Sequence, residues 1–196
     1  KKYIGLVLVA MSGCILTVYA QQSFSYKYPL LPTELRVNDL LGRMTLEEKI
    51  AQIRHLHSWD VFDGQILNQE KLDKMGGGIG YGFFEGFPLT AASCRKTFRE
   101  IQTYMVEKTR LGIPGFPVAE SLQGVVHEGT TIYPQNIAMG STFNPELAYE
   151  KTKHIAGELN TMGVKQVLAP CIDVVGDLRW GRVEESFGDD PFLCSK

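Results

Sequence analysis

The stretch from Asn144 to Val175 leaves a chain few folds to choose from. Asn144 followed by Pro145 marks a helix start: an oxygen-bearing N-cap ahead of a residue whose missing N–H is no loss in the first turn. Ala148, Ile155, Ala156, Leu159 and Met162 recur on one helical face, and Gly163 supplies the left-handed stop. A run rich in Val and Ile, Gln166 to Val175, follows at once and reads as a buried strand. Upstream, Phe116, Pro117, Val118 and Ala119 read as another strand, ending at Glu120. Strand, helix and strand in direct succession predict a parallel pair with the helix crossing over one face of the sheet.

The rest of the chain keeps this alternation. Val37, Leu40, Leu41 and Met44 share a helical face, and Thr45 with Glu48 forms a capping box opening a second helix that carries Leu46, Ile50 and Ile53. Gly76 to Phe84 is glycine-rich and reads as a short strand with its turn. Cys94, Phe98, Ile101 and Met105 then give an apolar stripe on a helix ending near Leu111 and Gly112. The class is therefore α/β with a parallel sheet, either doubly wound or closed into a barrel, and periodicity does not choose between the two. Cys94, Cys171 and Cys194 lie far apart without paired spacing, so they read as small buried apolar residues and not as a zinc site or disulfide framework.

Residues 1–20 read as an address and not as part of the fold. Lys1 and Lys2 precede an apolar run from Tyr3 to Ala20, the pattern of a secretory leader. Its fully apolar part falls short of the ~20 residues a membrane span needs. Two cleavage signals compete: a lipobox-like Met11 to Cys14, which would leave a lipidated Cys14, and a small-residue site at Val18 to Ala20. Either predicts export to the periplasm or outer cell surface. A net charge of −2 gives no reason to expect nucleic acid as a partner.

Chemistry gathers where strands end. In parallel α/β folds functional side chains collect at the carboxyl ends of strands, and here one strand ends in Glu120, Ser121 and Gln123. The other leads through Asp173 to a segment of mixed charge, Asp177 to Pro191. These two loops are expected to face one pocket. Arg179 and Arg182 offer planar forks of donors and Glu120 offers acceptors, a set suited to vicinal hydroxyls, with Trp180 to pack beside a sugar face. The plainer alternative pairs the arginines with Glu184, Glu185, Asp189 and Asp190 to hold the loop. Glu184 and Glu185, being adjacent, diverge on a strand or a helix and make a poor acid and nucleophile pair. His55 and His57 complete no recognisable metal-ligand set and read as structural, so no metal or other cofactor is expected. His127 and Glu128 are placed at the pocket rim. Gly76, Gly77, Gly78 and Gly80 match neither a dinucleotide fingerprint nor a P-loop.

Arg43 to Gln52, Leu111 to Pro114, Glu120 to Val125, Thr131 to Gln135, Thr142 to Leu147, Ala169 with Pro170, and Arg179 to Pro191 together carry a resemblance. The chain is similar to the amino-terminal part of glycoside hydrolase family 3, the exo-acting β-glucosidases and β-xylosidases. The resemblance implies a TIM (β/α)8 barrel, which takes about 250 residues, so residues 33–196 would hold roughly its first half behind a linker at 21–32. It also implies that Glu120 and Arg182 bind the sugar beside the cleaved bond, with Asp177, Arg179, Trp180 and Glu185 supporting the pocket. Many β-glucosidases of the family have Asp where Glu120 stands, and the longer side chain would crowd a hydroxymethyl group; Gln123 stands where His is common. The family's nucleophile Asp lies in a Ser-Asp-Trp motif beyond a sugar-binding Lys-His motif, and its acid/base in a following domain. The chain contains neither motif through Lys196, so the catalytic pair is expected beyond its end and the chain alone is expected to be inactive. The expected partner is an oligosaccharide or β-glycoside. A different class of reading is an exported, surface-anchored sugar-binding protein without turnover, held by Cys14.

Overall fold

The structure, a computed structural model, describes residues 25–85 and 90–196. The leader at 1–20, with Cys14 and both cleavage signals, lies outside the described residues. The described residues fall into two compact units that divide between Lys49 and Ile50.

In the first unit a 3-10 turn at Ser25–Lys27 precedes helix α1 (Thr33–Arg43). Asp39 accepts from the Tyr26 N–H at 3.0 Å and Arg36 Nε donates to the Tyr26 carbonyl at 2.9 Å, so the turn is tied to the helix by its backbone. The predicted apolar face of α1 is present, but none of its residues is buried. The capping box forms as read: the Thr45 N–H donates to Glu48 Oε2 at 2.8 Å, and the Glu48 N–H to Thr45 Oγ1 at 3.2 Å. It opens α2 (Leu46–Ala51).

The second unit is built on a four-stranded parallel sheet. Strand β1 (His55–His57) runs into α3 (Ser58–Val61), an antiparallel hairpin of β2 (Phe62–Asp63) and β3 (Ile66–Leu67), and α4 (Gln69–Gly76). Strand β4 (Phe83–Glu85), α5 (Ala91–Lys108), β5 (Phe116–Glu120), α6 (Asn136–Gly140), α7 (Pro145–Met162), β6 (Gln166–Leu168) and α8 (Pro191–Cys194) follow. The spatial order β1-β4-β5-β6 is the chain order. A doubly wound sheet reverses its strand order at a switch point, whereas successive parallel neighbours linked by helices build a barrel. The order therefore decides what periodicity left open, in favour of a partial (β/α)8 barrel.

Local chemistry explains the main crossover helix. Asn144 Oδ1 accepts from the Leu147 N–H at 3.0 Å, Pro145 occupies the first turn, and Gly163 closes α7 at φ 93°. Of its predicted inward face, Ile155, Leu159 and Met162 are buried; Ala156 is exposed, and Lys151 is buried instead. On α5, Cys94, Phe98, Ile101 and Met105 are all buried, and the helix stops at Lys108, before Leu111. These residues pack with Leu56, Phe84 and Tyr104 into one core between sheet and helices. Cys94 and Cys171 are buried free thiols, as expected of small apolar residues.

Two expectations are corrected. Gly76 ends α4, so residues 76–82 form a helix stop and turn, and only Phe83–Glu85 is strand. Gly82 brings the start of β4 against α2's exit so closely that a Cβ would lie 1.8 Å from the Gln52 carbonyl oxygen. The predicted buried strand from Gln166 to Val175 is strand only over Gln166–Leu168, and all three residues are exposed. Among the described residues β6 pairs only with β5, and Ile172 and Val174 beyond it are also exposed.

Candidate sugar-binding site

Register determines what reaches the carboxyl end of the sheet. His55 lies opposite Phe83, His57 opposite Glu85, and Phe83 opposite Phe116. Because side chains alternate along a strand, His55, His57, Phe83, Glu85, Phe116 and Glu120 share the face turned away from Leu56 and Phe84. Stacked rings at 5.0 Å (His55 on Phe83) and 5.9 Å (Phe83 on Phe116) mark this face.

At its upper end opens a cleft of about 540 Å³ lined by His57, Trp59, Glu85, Glu120, Gln123 and His127 among others. Glu120 and Gln123 therefore sit where the sequence placed them, at the mouth of β5. Glu85 and Trp59 were not foreseen. Glu85 Oε1 lies 3.1 Å from His55 Nδ1 and 3.4 Å from His57 Nδ1, and the Trp59 ring stacks on His57 at 4.4 Å and 7°. His57 Nδ1 makes no aligned hydrogen bond, nor does the buried Ser121 Oγ next to Glu120. The two histidines thus lie beside a carboxylate from the neighbouring strand, and no trio of His, Cys, Asp or Glu among the described residues is placed to hold a metal ion.

The charged segment divides into two ion pairs. Arg179 turns back on Asp177, its Nε 2.9 Å from Oδ2, and is 90% exposed; this pair holds its own loop and holds Asp177 below its ordinary carboxyl value. Arg182 donates from Nε to Glu185 Oε2 at 2.7 Å within the 3-10 turn Val183–Glu185. The hydrogen bond to Glu185 and then the Glu185 charge raise the Arg182 guanidinium above its ordinary value. Neither Arg179, Trp180 nor Arg182 lines the cleft that contains Glu120, so the two loops expected to face one pocket do not both line this one. Trp180 is half-buried, and Glu184, Asp189 and Asp190 are exposed. Asp190 caps α8 through the Phe192 N–H at 2.8 Å and pairs with neither arginine.

His127, at the cleft, carries a pH prediction. Burial holds its imidazole below the ordinary 6.5. Between the folded value and 6.5 the unfolded chain binds a proton that the folded chain refuses, so stability rises with pH through that window and falls as pH drops below 6.5. Melting temperatures measured from pH 7 to 5 are expected to fall less for His127→Gln than for the parent. Parallel profiles would show that this imidazole is not the group responsible.

The matches to known proteins agree with this geometry. The β-glucosidase from Erythrobacter marinus superposes with a TM-score of 0.74 at 29% identity, covering 89% of this chain and 23% of that one. The Listeria innocua β-glucosidase, solved with laminaribiose, gives 0.66 at 32% identity, covering 84% and 22%. The periplasmic β-glucosidase of Salmonella typhimurium is 30% identical over 99% of this chain and 24% of its own length. A β-xylosidase of Formosa agariphila is 43% identical over 44% of this chain and 13% of its own. The chain thus spans about a quarter of the length of the curated relatives that match it from end to end. Residues 45–196 match the glycosyl hydrolase family 3 N-terminal domain, and with the sequential parallel sheet and the cleft at its carboxyl end, the chain belongs to that family.

Proposed function

We propose that this chain is the sugar-gripping portion of an exo-acting, retaining β-glycosidase of the β-glucosidase or β-xylosidase kind. The observation that carries the reading is Glu120 in a cleft at the carboxyl end of β5; the Arg182 guanidinium, oriented by Glu185, supports it. Glu120 accepts from sugar hydroxyls and Arg182 donates to them, while Asp177, Arg179 and Trp180 shape the loop around Arg182. The exposed Trp59 ring beside the cleft adds an apolar face of the kind sugar rings pack against. Residues 33–196 form the partial barrel behind a linker at 21–32, and residues 1–20 direct export to the periplasm or outer surface, with Cys14 as a lipid anchor point if cleavage is at the lipobox-like signal and with no anchor there if it is after Ala20. A retaining mechanism uses two carboxyl groups roughly 5 to 5.5 Å apart; the resemblance assigns them to motifs that this chain does not contain.

The test is turnover of p-nitrophenyl β-glucoside and β-xyloside by the protein expressed from its complete reading frame. At least one is expected to release nitrophenol with retained anomeric configuration, the xyloside preferentially because Glu120 is a methylene longer than Asp. A folded protein that binds glucose or xylose by calorimetry and turns over neither glycoside would replace this reading with that of a sugar-binding protein.

A further inference from the structure

Lys151 is the one buried ammonium among the described residues, 7% exposed on the inner face of α7. A buried charge is costly unless it is well partnered, and here the partners are all uncharged oxygens. Lys151 Nζ donates to Asn136 Oδ1 at 2.8 Å, to the Pro134 carbonyl at 3.1 Å and, more weakly, to the Leu122 carbonyl at 3.5 Å. Three protons thus meet three acceptors.

The partners define what this arrangement does. Leu122 and Pro134 belong to the long connection that starts at Glu120, and Asn136 opens α6. An ammonium can only donate, so it fixes the Asn136 amide with Oδ1 toward itself and Nδ2 pointing away. That Nδ2 donates to the Glu185 carbonyl at 2.9 Å, and Asn136 is itself 2% exposed. Glu185 is the residue whose carboxylate holds Arg182. At the other end of α6, Gly140 lies so close to the next turn that a Cβ would come 2.1 Å from the Phe187 carbonyl oxygen. The backbone on both sides of Ser186 is therefore clamped to α6, and α6 is clamped to Lys151.

We propose that Lys151 and Asn136 are positioning residues for sugar binding: through the Glu185 backbone they hold the Arg182 turn in register with the loop that carries Glu120. Burial lowers the affinity of Lys151 for its proton, in keeping with a cation kept for its geometry. The proposal rests on the sugar-gripping reading of Arg182, and the experiment separates the two.

In the protein from the complete reading frame, Lys151→Met is expected to lower kcat/KM for the aryl glycoside about tenfold, divided between kcat and KM as for Arg182→Ala. In an Arg182→Ala background the same change is expected to leave kcat/KM within about twofold, while still lowering Tm, because residues acting through one group are not additive. Asn136→Asp gives Lys151 a charged partner and removes the donor to Glu185, so it serves where Lys151→Met does not fold and is expected to give the same pattern. A loss that persists at full size without Arg182 would overturn this proposal alone. Wild-type kcat/KM in the Arg182→Ala protein would overturn the sugar-gripping reading, and this proposal with it.

Discussion

Replacing Arg182 by alanine is expected to lower kcat/KM for an aryl β-glycoside by about 10- to 100-fold, with little change in Tm. A hydrogen bond from a charged group contributes about 1.5–3 kcal/mol, and contacts to sugar hydroxyls strengthen as the transition state is reached, so kcat falls along with the rise in KM. Stability is spared because the side chain is 58% exposed and pairs with Glu185 near the surface, where ion pairs contribute little. Arg182→Lys keeps the charge but loses the planar fork and recovers only part of the loss. Arg179→Ala is the comparison: its pair with Asp177 closes a two-residue loop in solvent and shapes the segment without gripping the sugar, so it is expected to lower kcat/KM several-fold less than Arg182→Ala. Equal losses at the two arginines would show that the segment acts as a general positive surface and not through one guanidinium.

The second large effect lies in the core between the sheet and its helices. Phe84 is fully buried on β4, between β1 and β5, and packs edge-to-face on Phe98 of α5 at 5.7 Å. The carbon of a Cβ built on Gly115 would lie 3.0 Å from its ring, so backbone already presses on it from the β5 side. Phe84→Ala is expected to cost about 3–5 kcal/mol, since the strands and helix around the ring cannot close over the cavity. That is a large fraction of a domain's stability, and most of the protein is expected to be lost from the soluble fraction at 37 °C. A variant with parental Tm would mean that the β4–α5 layer repacks freely, and would discredit the core described above.

Helix ends and strand β5 were legible because their signals are local. Thr45 with Glu48, and Asn144 with Pro145 and Gly163, satisfy or terminate backbone groups within a few residues of themselves, so no distant partner is needed to read them. The strand after α7 was over-read for the opposite reason. Val, Ile and Leu between 166 and 175 report that a segment suits burial, not that a neighbour covers it, and only Gln166–Leu168 pairs with β5. Charge misled in the same way: Lys151 is a polar residue by type, and only the fold brings Leu122, Pro134 and Asn136 around it. At the site, the strand-end rule found Glu120, and the resemblance singled out Arg182. Glu85 gave no signal in the run Gly82 to Gly86; it emerges only when parallel register sets it opposite His57. For the arginines, residue type allowed both a loop-holding and a ligand-gripping part, and the distances show an ion pair within the segment for each, Arg179 with Asp177 and Arg182 with Glu185.

The uncovered edge at β6 bears on how proteins of this family can be recombined. Val167 and Leu168 are each 38% exposed, and the strand offers one side of its backbone to no other strand among the described residues. A chimera joined just after Leu168 would ask a foreign strand to match both the parallel register and the side-chain alternation that Val118, Ala119 and Glu120 impose on this edge. A slip of one residue would turn every inward side chain outward, so graft points chosen by sequence identity alone would yield sticky, mispaired sheets. Junctions chosen in the connections that follow Glu85 or Glu120 would exchange cleft loops while leaving that register to be inherited whole.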